Sequence, residues 1–132
     1  MNHINAMVKD VQSMDDLSIV SFDAQGQSLR MMALGVNFPL KVGSKVILGA
    51  KASNIALAKS FSGVISISNQ LHCIVERIDK GVLLCSVKLR FKGTILESIT
   101  TLASAQQMEL HVGERVIALI KASELSILEV EA

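Results

Sequence analysis

A chain of 132 residues fits one domain, or two very small ones sharing a core. Half of its residues are hydrophobic and 19% are charged, which excludes a disordered chain, and a net charge of +1 gives no overall field for a polyanion such as DNA. No apolar run approaches the roughly 20 residues that cross a bilayer, and MNHINAMVKD lacks the basic and apolar regions of a secretory signal, so a soluble cytoplasmic protein without membrane insertion is expected.

In chain order, INAMVKDV (4–11) opens a first unit whose strands are marked by Leu17, Val20, Phe22 and Leu29. Pro39 falls in the connection ahead of that unit's last strand, where a missing N–H does no harm. LKVGSKVILGAKASNIAL (40–57) then carries an apolar run that Lys51-Ala52-Ser53 interrupts. Ser66-Ile67-Ser68-Asn69 follows, rich in turn formers.

Residues 71–78 and 82–91 are predicted to form a hairpin turned at Asp79-Lys80-Gly81. In its second arm Leu83, Cys85, Val87, Leu89 and Phe91 alternate with Ser86, Lys88 and Arg90, the period of a strand with one apolar face. That register sets Cys73 nearest Val87 and Cys85 nearest Val75, which predicts two reduced thiols and no disulfide. Lys92-Gly93-Thr94 turns the chain into a strand near 95–100. Residues 101–109 suit one or two helical turns with Ser104 as cap, and Val112-Gly113-Glu114 leads into VIALIKASELSIL (116–128), interrupted by a second Lys-Ala-Ser.

These elements repeat. Residues 40–57 lie over 110–127 at an offset of 70 with eight of eighteen positions identical, and further upstream INAMVKDV lies over LHCIVERI at an offset of 67. The difference of three residues falls between Thr100 and Glu109. Two units, 1–60 and 61–132, are therefore expected. Their order of strand, strand, strand, short helix and strand suggests an all-β fold of two small barrels of the oligonucleotide-binding type.

Chemistry is sparse. His3, His72 and His111 are scattered, without the convergent spacing of a metal site, and no nucleophile lies beside a base, so no enzyme is expected. The methionines read as core filler. A single lysine at a strand end is ordinarily solvent-facing. Recurrence of Lys-Ala-Ser at matching positions points further: a cation, a hydroxyl donor and a small residue that lets backbone N–H groups approach suit a tetrahedral oxyanion. A site of donors alone favours a fully deprotonated dianion, since a protonated phosphate would turn an O–H against donors.

With Lys-Ala-Ser late in each copy, Ser-x-x-Asn at the start and Val-Gly ahead of the last strand, the chain resembles tandem Mop repeats. These are the TOBE-type modules of molbindins, of the molybdate-responsive transcription regulator and of molybdate transporter ATPases. Ser66-Ile67-Ser68-Asn69-Gln70-Leu71 is similar to the family's Ser-Ala-Arg-Asn opening, with Ser68 at the Arg position; Ile99-Thr100 is similar to its Ile-Thr segment, and Lys121-Ala122-Ser123 to its end. In the first copy Lys51-Ala52-Ser53 is intact, Asn2 remains of the opening, and Ala33 stands where the second copy has Thr100.

The resemblance implies two tandem OB-like (TOBE/Mop) β-barrels with short helical turns, binding molybdate or tungstate as the oxyanion. No metal is ligated directly and no organic cofactor is implied. The site set it implies is Lys51, Ala52, Ser53, Ser66, Ser68, Asn69, Thr100, Lys121, Ala122 and Ser123. It also implies a homo-oligomer, dimer or trimer, with anion sites at subunit interfaces and a cytoplasmic role in molybdenum storage, homeostasis or sensing. The alternative is a ligand-free regulatory or oligomerisation module that partners a molybdate transporter ATPase or regulator. Direct nucleic-acid binding is not expected, because the chain offers neither stacking aromatics nor a basic groove: it has four Phe, no Tyr and no Trp.

Overall fold

The computed structural model describes residues 1–36 and 39–131. The strands are β1 (Asn2–Met14), β2 (Leu17–Ala24), β3 (Gln27–Leu34), β4 (Lys45–Ala50), β5 (Ala56–Ala58), β6 (Asn69–Lys80), β7 (Leu84–Phe91), β8 (Thr94–Thr101), β9 (Arg115–Ile120) and β10 (Ser126–Val130). One helix, α1 (Leu102–Gln107), lies between β8 and β9, and short 3-10 turns occupy Ala52–Asn54 and Ala122–Glu124. The helix sits where the second copy carries its three additional residues.

Two curled five-stranded sheets result, ordered β10-β4-β1-β2-β3 and β5-β9-β6-β7-β8. Each takes its outermost strand from the other half of the sequence. The last strand of the second copy, β10, pairs antiparallel with β4 (Ser126↔Gly49, Ile127↔Leu48), and β5 pairs likewise with β9 (Ala56↔Leu119, Leu57↔Ala118). Both 3-10 turns are the crossings: the chain leaves its own sheet at Lys51 or Lys121 and enters the other a few residues later.

Local sequence dictates the same bends twice. Gln25-Gly26 and Lys92-Gly93 hold positive φ at both central positions (52° and 88°, 45° and 84°), as a two-residue turn matching strand twist requires. A bulge interrupts β1 between Val8 and Asp10 and β6 between Val75 and Arg77, bending each long strand at the same point. Next to it Gly43 and Gly113, at φ 94° and 91°, donate their N–H to the carbonyls of Val8 and Val75 at 2.8 and 2.7 Å. That contact is why Val-Gly recurs in both copies.

Apolar faces of both sheets meet in one core: Val20, Phe22, Leu48, Leu71, Val87, Leu89, Leu96 and Ile120 are all fully buried. Three buried polar side chains, Asn2, Asn69 and Ser98, face the seam between the halves. Asn69 accepts from Arg30 N–H at 2.7 Å and donates to Arg30 C=O at 2.8 Å. Asn2 does the same with Glu97, accepting at 2.7 Å and donating at 2.9 Å. Each strand-opening asparagine thus adds a pair of ladder-like hydrogen bonds to the third strand of the other half.

Three expectations are corrected. The β6–β7 turn lies at Gly81–Leu83 rather than 79–81, because β6 continues through Lys80. The register moves with it: Lys80 faces Cys85, Ile78 faces Val87 and Val75 faces Leu89, while Cys73 lies opposite Val116 on β9. Both cysteines are free and buried, and burial pushes the Cys73 thiol up to about 11. Finally, the cap of α1 is Thr101, whose Oγ1 accepts from Ser104 N–H at 3.1 Å; Ser104 is the residue capped.

Candidate functional site

Strand exchange determines which predicted residues can meet. The first Lys-Ala-Ser turn packs on β8 of the second copy, and the second packs on β3 of the first. Ser98 Oγ, fully buried, donates to the carbonyl of Ile55 at 2.6 Å and fastens the first turn to β8. The turns also touch each other across the seam, where Asn54 Nδ2 donates to Glu124 Oε2 at 2.7 Å.

A groove of about 450 Å³ opens between the first turn, β8 and the start of α1. Ser53 lines one wall, and Thr100, Thr101 and Ser104 line the other. Thr101 Oγ1 accepts from Ser104 N–H and donates to Ser104 Oγ at 2.9 Å, which leaves the Ser104 hydroxyl proton free to donate outward. Such a chain of hydroxyls is polarised toward its open end. Thr101 and Ser104 were not among the sequence-predicted ligands. Their signal was the cap spacing Thr-x-x-Ser, which reads as helix architecture alone.

Lys51 stands exposed at the head of this turn, without a side-chain cap bond. Among the described residues neither Lys51 nor Lys121 has an ion-pair partner. Ala52, half-buried beside Asn2, His3 and Glu97, lets the backbone run close to the seam. A second cation there, Lys88, is already engaged: its Nζ lies 3.1 Å from Glu97 Oε2.

Glu97 is held below the ordinary carboxylate range, first because Ser86 O–H donates to it and then because Lys88 does. A depressed folded-state pKa means that this contribution is present above the unfolded value, about 4.3, and lost as pH falls through the lower folded one. Glu97→Gln is expected to remove part of the acid limb of the stability profile. Thermal melts across the acid range check it; identical limbs in both proteins would refute it.

The twin corner differs. Ser123 faces a larger groove of about 600 Å³ lined by Met31, Met32, Ala33, Leu34 and Ile127, in which the one other hydroxyl among the lining residues, Ser126, lies 3.4 Å from the Gly49 carbonyl. Its Lys121 is exposed and Ala122 half-buried, as in the first copy.

The opening motif is divided. Ser66 is exposed in the loop before β6 and lines none of these grooves, whereas Ser68 shares one of about 410 Å³ with Lys9, Ser21, Ser28 and Arg30. Asn69, expected at the anion, has its carboxamide engaged with the Arg30 backbone. A further groove of about 470 Å³ beside the end of β5, lined by Phe61, His72 and Arg115, contains none of the predicted residues.

Residues 65–127 match the family model of the TOBE domain. No curated protein matches the chain. Among solved structures, it is similar to the cytoplasmic molybdate-binding protein ModG, crystallised with molybdate bound, with a TM-score of 0.89 and 23% identity over 96% of this chain and 94% of that one. At that identity the likeness is one of fold. A molybdate-binding protein from Sporomusa ovata is 34% identical over 51% of this chain and 100% of that chain, with a TM-score of 0.49.

Proposed function

We propose that the chain, whose residues 65–127 match the TOBE-domain family model, binds molybdate or tungstate as the intact oxyanion. It is a binding protein and not an enzyme. The observation that carries the reading is the Ser53 corner: Ser53, Thr100, Thr101 and Ser104 converge on one groove, with unpaired Lys51 at the head of the same turn. Lys51, Ser53 and Ser104 have protons free to donate, as an aprotic dianion requires, while the Thr101 proton is given to Ser104 Oγ and the Thr100 proton to the Thr101 carbonyl, so that Thr101 polarises Ser104 outward. Hydrogen bonds to an anion are roughly twice as strong as neutral ones, so the hydroxyls supply geometry and affinity together and Lys51 adds its charge at the rim.

Solvent still reaches this corner, since Lys51 and Ser53 are both exposed. Completing the shell with a second copy of the chain would exclude that water and strengthen each bond. We therefore include a homo-oligomer, with anion sites at its interfaces, in the proposal. Apolar side chains at the β6–β7 tip, Val82 and Leu83 at 90% and 78% exposure, suit such packing. A cytoplasmic role in molybdenum storage, homeostasis or sensing fits a module that binds and releases an oxyanion without altering it.

Calorimetric titration with molybdate, tungstate, sulfate and phosphate tests the reading. Binding of the first two, with little or none of phosphate at neutral pH, is the expected result. An absence of heat with every anion, together with no molybdenum retained on dialysis, would reject it.

A further inference from the structure

We propose that each chain holds one oxyanion, at the Ser53 corner, and that the Ser123 corner does not bind one. This rests on the reading above and goes beyond it, because sequence treats the two Lys-Ala-Ser corners as equivalents.

Their equivalence ends at the strand each turn packs against. At the offset of 67, Thr100 corresponds to Ala33 and Thr101 to Leu34. Strand exchange sets the second copy's hydroxyls beside Ser53 and the first copy's apolar side chains beside Ser123. The helix that supplies Ser104 lies in the three-residue difference between the copies, so the Ser104–Thr101 hydroxyl relay belongs to the Ser53 corner alone among the described residues.

A dianion placed against Ser123 would therefore meet Met31, Met32, Ala33 and Leu34 across the groove. Thioethers and methyl groups return none of the hydrogen bonds that water gives a doubly charged ion, so the transfer is unfavourable. Lys121 does not reverse this, because Lys51 is equally exposed and the two lysines do not distinguish the corners.

Equilibrium dialysis of the full chain against molybdate, with elemental analysis of bound molybdenum, reads the number directly. The expected count is one molybdenum per chain. Ser53→Ala should weaken binding at least about tenfold, and the paired change Ala33→Thr with Leu34→Thr should raise the count toward two. Leu34 is 76% exposed, so that variant is expected to fold, and its melting temperature checks this.

Two molybdenum atoms per wild-type chain with matching affinities would overturn the inference while leaving oxyanion binding intact. No molybdenum at all would instead reject the underlying reading. A paired variant that folds and stays at one per chain would overturn the assignment of the difference to β3 and β8.

Discussion

Replacing Lys51 and Ser53 together by alanine is expected to lower molybdate affinity by about 100-fold. Both lost hydrogen bonds are to a charged group, each contributing roughly 1.5–3 kcal/mol, so losing the two, partly screened at an exposed corner, comes to about 3 kcal/mol; each 1.4 is a factor of ten. Both side chains are exposed, and no hydrogen bond within the fold depends on either of them among the described residues. The melting temperature without ligand should therefore stay within about 1 °C of wild type. Lys51→Gln separates charge from reach: it should keep part of the affinity and lose most of its dependence on ionic strength. Calorimetry at two salt concentrations measures both effects. An unchanged affinity in the double variant would show that the anion, if bound, sits elsewhere.

How far such a site can be read from sequence follows from where its partners lie. The period of two in β7 and the duplicated Lys-Ala-Ser are local signals, and both led to the correct elements. The β6–β7 turn misled because Val82 and Leu83 are apolar yet stand at its exposed tip, while Asp79 and Lys80, ordinary turn formers, lie inside a strand. The bulge at Glu76 also shifts the alternation of β6, so that polar residues occur where the ladder continues.

Exchange of β5 and β10 left no mark at all, since a short apolar strand reads alike whichever sheet receives it. That exchange is what sets Ser53 beside Thr100 and Ser123 beside Ala33, and so gives twin motifs unlike surroundings. Asn69 shows the same limit. Its partner is a backbone unit of Arg30, 39 residues away, and a backbone leaves no signature in side-chain pattern.

Asn69→Ala is accordingly expected to be the most destabilising of the substitutions considered, by about 2–5 kcal/mol. The side chain is fully buried, and its removal strips a partner from both the N–H and the C=O of Arg30; each buried polar group left unpaired costs about 1–3 kcal/mol. In a domain of this size that corresponds to a fall of about 10 °C in melting temperature. Asn2→Ala removes the matching pair from Glu97, but Asn2 is 7% exposed and adjoins an open groove, so water replaces part of what is lost and the fall should be smaller. Asn69→Asp sharpens the assignment. It keeps the acceptor for Arg30 N–H but turns an oxygen toward the Arg30 carbonyl. Its folded-state pKa is raised, because only the protonated acid can donate there. Stability is then retained at low pH and lost as pH rises through that value. Thermal melts of the three variants without anion, read against pH for Asn69→Asp, measure all of this. A ligand role for Asn69 would appear in molybdate titrations and leave those melts unchanged; a latch between the halves moves the melts first, because the seam it closes is the surface on which both Lys-Ala-Ser turns rest.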